Sequence, residues 1–386
     1  MVSALLIRVK MTQAQVTQVS VSKDWIDLGI GQPQIENLPL ELLEQAANHR
    51  FRQKDRRILQ YGIEQGNGNF RFCLAGFLEA RYGKPVDPDH LLITGGVSQA
   101  LDMICGLKTR PGDSVIVEEP SYFLALRIFA DYNLNVIGVP IDANGIIMEA
   151  LEEKLKKHNP VFVYTIPVFH NPAGVTLSAE RREKLIDLSE TYEFFIVADE
   201  VYQLLNYTSK PPAPMAYYDG GERVLSLGSF SKILAPGLKL GWMQAKPKLL
   251  APFTGCGYLD SGGGLNPFVS SIVSSVIELG LQEKYLKKLR KIYQDRMATL
   301  SSAIRKNIPA LEFREPSGGY FIWARLPDGA DSELLLADAQ EHKVRYQPGI
   351  KFSCIQGLRD YLRLCFAYYE QTELIDGIER LARALE

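Results

Sequence analysis

Neither charge is in excess, no apolar run is long enough to cross a membrane, and the few cysteines cannot be paired off. Each absence closes off a class of function. Lysine plus arginine number 43 against 45 aspartates and glutamates, a formal net charge of −2. Without a basic excess or block, a nucleic-acid-binding surface is not expected. A membrane helix needs roughly 20 apolar residues, and nothing approaches that. The run Ala4-Leu5-Leu6-Ile7 is too short for the apolar core of a secretion signal. Five cysteines (Cys73, Cys105, Cys256, Cys354, Cys365) form an odd set with no close pair. That argues against a disulfide framework and a zinc knuckle, and predicts reduced thiols in a cytoplasmic protein without a metal site. There is no repeat and no low-complexity tract, Gly262-Gly263-Gly264 being only a short run. What remains is 386 residues, 46% hydrophobic and 23% charged. Such a chain is globular, with a sizeable core and two or three domains at roughly 150 residues each.

Between residues 91 and 244, short apolar runs alternate with amphipathic stretches. Strands are predicted over 91–94, 114–117, 135–139, 161–165, 194–198, 223–227 and 240–244. Helices are predicted over 97–107, 123–132, 148–157 and 178–192. This alternation specifies an α/β fold: a mostly parallel sheet of seven-stranded type, covered by helices on both faces. After residue 265 the texture changes. A helical tract over 266–307, interrupted near Gly280, leads to strands over 311–314, 320–326 and 362–366 and helices over 332–341 and 372–385. These form a smaller α+β domain. The expected division is an arm at 1–23, a segment at 24–48 packing on the small domain, a large domain at 49–290 and the small domain at 291–386.

Five short segments sit where strands end, the edge at which open α/β sheets bind ligands. Ser229-Phe230-Ser231-Lys232 places a lysine beside two hydroxyls. Burial would lower its pKa and make it a nucleophile; alone, the string also suits a surface loop. In Ala198-Asp199-Glu200-Val201-Tyr202 the aspartate ends a buried run. It could hold the protonated nitrogen of a pyridine ring, or simply cap a helix. His170-Asn171-Pro172-Ala173-Gly174 offers an amide donor, or a plain turn. Thr94-Gly95-Gly96-Val97-Ser98 opens a helix with exposed backbone N–H groups, a site for an anion such as phosphate, or a tight turn. Tyr122 in Glu119-Pro120-Ser121-Tyr122 could stack on a flat ring.

In this order, the set resembles the fold type I, class I/II aminotransferases that use pyridoxal 5′-phosphate. The resemblance runs from Gly31-Gln32-Pro33 to Arg363 and its neighbours. It implies that Lys232 is the Schiff-base lysine and that Asp199 pairs the ring nitrogen. It implies that Asn171 and Tyr202 hold the ring oxygen and that Tyr122 stacks on the ring. Gly96, Val97, Ser98, Ser229 and Ser231 would hold the phosphate. Arg363 would grip the substrate α-carboxylate, with Gly31 close by. Tyr61, in Leu59-Gln60-Tyr61-Gly62, resembles the residue that reaches a neighbouring subunit's phosphate, so a homodimer with shared active sites is expected. The glycine run ending at Asn266 is a second segment that could approach a neighbour's site.

One position departs from the family. Lys239 stands where arginine is usual, which keeps the cation but loses the planar two-point contact. Gly318-Gly319-Tyr320-Phe321-Ile322-Trp323 is similar to the 2-aminoadipate and kynurenine aminotransferases. It is also similar to aminotransferase-like domains of transcription regulators, whose upstream winged helix would find no room before residue 24. The implied reaction is a ping-pong transfer of an amino group between an L-amino acid and a 2-oxo acid, 2-oxoglutarate being the expected acceptor. The alternatives on the same scaffold are a β-lyase, a decarboxylase or a non-catalytic amino-acid sensor.

Overall fold

In the computed structural model, which describes residues 16–218, 220, 222–327 and 329–385, the apolar runs between residues 91 and 244 lie side by side in one sheet. Its order is Leu91–Thr94, Gly241–Gln244, Val224–Ser229, Phe195–Asp199, Phe162–Thr165, Ser114–Glu119 and Asn135–Asp142, with Gly145–Ile146 at the far edge. The five strands from Val224–Ser229 to Asn135–Asp142 run parallel to one another. Gly241–Gln244 runs antiparallel to both its neighbours. The seven predicted strands are all present. The eighth, only two residues long, folds back antiparallel on Asn135–Asp142. It is too short for any alternation to show in sequence.

Alternation along each strand decides which face a side chain meets. Val115, Val117, Phe162, Tyr164, Val197, Leu225 and Leu227 pack on one face, against helices Val97–Lys108, Phe123–Asp131 and Pro247–Thr254. Ile116, Val163, Ile196, Ala198 and Val224 face the other way, against Met148–Leu155 and Ala179–Thr191. Both faces are covered, which is why these strands carry apolar residues on both sides. Each buried valine, leucine, isoleucine or phenylalanine among them contributes about 1.5–3 kcal/mol.

The second sheet is antiparallel, in the order Glu312–Phe313, Phe321–Arg325, Tyr361–Cys365, Gln347–Pro348. Gln347–Pro348 has no counterpart in the sequence reading, because two residues ending in proline carry no strand pattern. Ile26–Asp27 runs parallel to Val344–Arg345. Helix Leu40–Arg52 instead lies on Pro267–Glu278, where Arg50 donates to Ser275 at 3.0 Å and to Glu278 at 2.9 Å. The predicted break at Gly280 is real: its φ of 67° stops one helix, and Leu281–Asn307 begins at once. That helix runs unbroken past residues 290 and 291 and packs along Gln371–Ala384, which opens with a capping box from Glu370 and Glu373. The first fifteen residues of the expected arm lie outside the described residues. All five cysteines are free. Among the described residues, no helix is long and apolar enough to cross a membrane.

Candidate active site

The parallel strands end together, and their last residues start the site. Asp199 closes Phe195–Asp199 and is 3% exposed. Its Oδ2 accepts from the Tyr164 hydroxyl at 2.9 Å, while Oδ1 has no hydrogen-bond partner among the described residues. Burial raises its pKa to about 6, against the pull of the Tyr164 hydroxyl and the Lys232 charge.

One strand over, Val224–Ser229 leads into the turn that carries Lys232. The Lys232 Nζ donates to the Gly31 carbonyl at 2.9 Å. It lies 5.1 Å from the Tyr320 ring centre and 6.0 Å from that of Tyr202. Removal of the ammonium from water lowers its pKa to about 8. Tyr202 is itself buried against Tyr320 and Phe321, at centroid distances of 5.4 and 6.1 Å.

The hydroxyls and the glycines meet because of Gly241. It pairs with Ser229 on one side and Thr94 on the other. A Cβ there would stand 2.6 Å from the Gly228 carbonyl and 2.9 Å from the Gly96 Cα, so only glycine lets the strands close. Ser229 Oγ then faces Gly96: a Cβ on that glycine would be 3.9 Å away. Gly96 has φ 100°, a backbone form that favours glycine, and helix Val97–Lys108 starts from it with no side-chain cap. The first N–H groups, those of half-buried Val97 and exposed Ser98 included, are thus open to a ligand. Ser231 donates its N–H to Ser229 Oγ at 3.0 Å, and the two hydroxyls are 2.9 Å apart.

Arg363 comes from the middle of the second sheet and is 2% exposed. Its Nη1 donates to Asn171 Oδ1 at 2.9 Å and its Nη2 to the Gly29 carbonyl at 2.8 Å; Nε has no partner among the described residues. Three rings surround the guanidinium: Phe321 at 4.1 Å, Phe352 at 5.0 Å and Phe123 at 5.8 Å. Gly31 lies against it, since a Cβ there would be 3.6 Å from Nη2 and 3.2 Å from Phe321. Tyr122 caps helix Phe123–Asp131, half-buried, its hydroxyl pushed up to about 12 by burial.

Lys232, Gly31, Arg363, Asn171 and Tyr202 therefore form one connected set, and Gly96, Ser229 and Ser231 another. No hydrogen bond among the described residues ties the Lys239 ammonium or the Tyr61 hydroxyl to either. Lys239 is exposed at φ 47°, and its carbonyl accepts from Asn266. Tyr61 is 80% exposed, so it is not a packed core residue of this chain. Several participants escaped the sequence reading. Tyr164 lies inside a fully buried strand, where nothing local marks it as a partner of Asp199. The three phenylalanines around Arg363 come from separate segments, so no local pattern could join them. The buried Glu118 carboxylate, 3.1 Å from His170 Nε2 and bonded by the Ile166 N–H at 2.8 Å, holds the segment before Asn171.

The family model described as aminotransferase class I and II matches residues 23–381. The chain belongs to that family. It is 34% identical over 371 residues to aromatic-amino-acid aminotransferase 1 of Thermococcus litoralis, covering 95% of this chain and 89% of the relative. It is 31% identical over 363 residues to the 2-aminoadipate transaminase of Thermus thermophilus, covering 92% and 89%. The solved structure of Pyrococcus horikoshii kynurenine aminotransferase superposes with a TM-score of 0.89 at 33% identity, covering 98% of both chains. This aminotransferase thus has the fold type I architecture and depends on pyridoxal 5′-phosphate.

Proposed function

We propose that this aminotransferase moves an amino group from an aromatic L-amino acid to 2-oxoglutarate, in two half-reactions at one site. The observation that carries the reading is Arg363 ringed by Phe321, Phe352 and Phe123. The cation suits an α-carboxylate, and the rings offer an apolar wall to an aromatic side chain. The Thermococcus litoralis relative, an aromatic-amino-acid aminotransferase by name, supports the same donor class.

The residues fit the cofactor. Asp199 Oδ1, buried and without a partner, is an acceptor for the proton on a ring nitrogen. Gly96 and the uncapped helix start give the phosphate a cradle of N–H groups. Val97, Ser98, Ser229 and Ser231 would line it, with Lys239 adding charge. Tyr122 would cover the ring, and Asn171 and Tyr202 would bind its oxygen. When bound, pyridoxal phosphate supplies an aldehyde to carry the amino group and a ring that draws electrons from the substrate Cα. Everything else is the work of this chain. Lys232 Nζ, its pKa lowered to about 8 by burial, would take the substrate Cα proton and, once protonated, give it back as the acid. Asp199 would keep the ring nitrogen protonated by charge. Arg363 fixes the α-carboxylate with its planar fork, and Gly31 leaves room beside it.

The working unit is a homodimer, in which Tyr61 reaches the partner's phosphate cradle. Tyr61 stands among other exposed apolar residues, Leu59 at 76% and Ile63 at 54% exposed, as an interface would have them. The setting is cytoplasmic and the role lies in amino-acid metabolism. The test is a donor screen with 2-oxoglutarate as acceptor, reading glutamate. Phenylalanine, tyrosine and kynurenine should outpace aspartate and alanine at least tenfold. Preference for the small or acidic donors would overturn the aromatic assignment, and release of ammonia without glutamate would overturn transamination.

A further inference from the structure

A second polar cavity, of about 150 Å³, lies away from the strand ends. Its walls come from three parts of the chain: the last turn of helix Gly68–Tyr82, the segment that follows Asp199 and Tyr202, and helix Leu281–Asn307. Each brings a cation: Arg81, Lys210 and Arg290 line one space. Among the described residues, neither Lys210 nor Arg290 has a carboxylate within ion-pair distance. Each is instead tethered by a single backbone carbonyl. Lys210 Nζ donates to Tyr82 at 2.9 Å and Arg290 Nε donates to Leu204 at 2.8 Å. The two terminal nitrogens of Arg290 have no protein acceptor among the described residues, although the guanidinium is far enough from water for its pKa to fall. Arg81 pairs with Glu283 at 2.8 Å, yet its buried Nε has no partner. The nearby Glu200 is already engaged by Ser226, the Met215 N–H and Arg182.

A fourth group narrows the choice. Gln203 also lines the cavity and is only 5% exposed. Its amide nitrogen donates to the Pro212 carbonyl at 2.8 Å, which leaves Oε1 as a buried acceptor with no donor. Three cations call for an anion, and a lone acceptor among them calls for that anion to bring a proton. Sulfate and carboxylates at neutral pH bring none. Hydrogen phosphate brings one. Water occupies about 30 Å³ in the liquid, so the space holds several waters or one tetrahedral ion.

We propose that this cavity is a binding site for a small oxyanion that carries its own hydroxyl, of the hydrogen phosphate class. Arg290 and Lys210 bind its oxygens, Arg81 Nε adds a third donor, and Gln203 Oε1 accepts its O–H. The ligand ties helix Leu281–Asn307 to the segment after Asp199. That segment also holds the second sheet: the Gly319 N–H donates to the Leu205 carbonyl at 3.1 Å, and Asn206 bridges to Gly318. Phosphate here therefore stabilises the fold at the back of the active site.

The experiment uses the holoenzyme, whose own phosphate cradle is filled by the cofactor. Calorimetric titration at pH 7 compares inorganic phosphate, sulfate and chloride at equal ionic strength. Phosphate should bind at least fivefold tighter than sulfate and should raise Tm. Lys210 is exposed, so Lys210→Met should leave folding intact and weaken phosphate at least threefold. Arg290→Met should weaken it at least tenfold. Gln203→Met should bring phosphate down to the level of sulfate while leaving sulfate unchanged. Equal binding of phosphate and sulfate by the wild type, or unchanged phosphate affinity in both Lys210→Met and Arg290→Met, overturns the proposal.

Discussion

Replacing Asp199 by asparagine should shift the apoprotein and the loaded enzyme in opposite directions. Without cofactor, Asp199 is a buried carboxylate with one oxygen unbonded, and burial raises its pKa from the ordinary 3.8 to about 6. The folded state therefore binds more protons than the unfolded chain between those two values. Wild-type apoprotein then loses stability as pH rises through this window, and above it carries the full cost. About two pKa units at 1.36 kcal/mol each make about 3 kcal/mol. Asparagine has the shape of the neutral acid and keeps an oxygen for the Tyr164 hydroxyl. It should recover about 2–3 kcal/mol at pH 8 and almost nothing at pH 4. With cofactor the sign turns. The amide cannot hold the ring-nitrogen proton by charge, and loss of a buried ion-pair partner costs about 3–5 kcal/mol. At about 1.36 kcal/mol per decade of rate, activity should fall at least a hundredfold. The assay is urea unfolding of both apoproteins at pH 4 and pH 8, with 2-oxo acid formation by both holoenzymes. A variant apoprotein less stable than wild type at pH 8, or activity within threefold of wild type, refutes the reasoning.

Three further outcomes follow from the geometry. Arg363→Met should raise KM for every donor at least a hundredfold, because Asn171 Oδ1 and the Gly29 carbonyl also lose a charged donor; unchanged KM in steady-state kinetics would remove the arginine from carboxylate binding. Lys239→Arg should be tolerated, since residue 239 is exposed, and should bind pyridoxal phosphate at least as tightly by equilibrium titration; weaker binding would mark the lysine as fitted to its left-handed backbone. Tyr61→Ala and Lys232→Ala should each be inactive alone and recover activity when their subunits are exchanged, because one site of the mixed dimer is then wholly wild type. No recovery despite proven exchange would dissociate Tyr61 from the partner's site.

The sequence by itself determined the large sheet. Its strands are apolar on both faces and its helices on one, and these two periods are local, so seven strands and the helices between them could be read directly. It also placed Asp199, Lys232, Asn171 and Gly96 at strand ends, because a buried run followed by polar or glycine residues marks where a strand stops. Tertiary structure decided what these residues touch. That Lys232 bonds the Gly31 carbonyl, two hundred residues earlier in the chain, depends on how the first segment lies over the sheet. That Gly241 brings Ser229 beside Gly96 depends on strand order, which no single segment encodes. The rings around Arg363 and the cations of the second cavity likewise come from elements distant in sequence, joined only by packing. Period and turn chemistry act between neighbours along the chain. Desolvation, the orphan oxygen of Asp199 and the convergence of charge arise only when distant segments exclude water together.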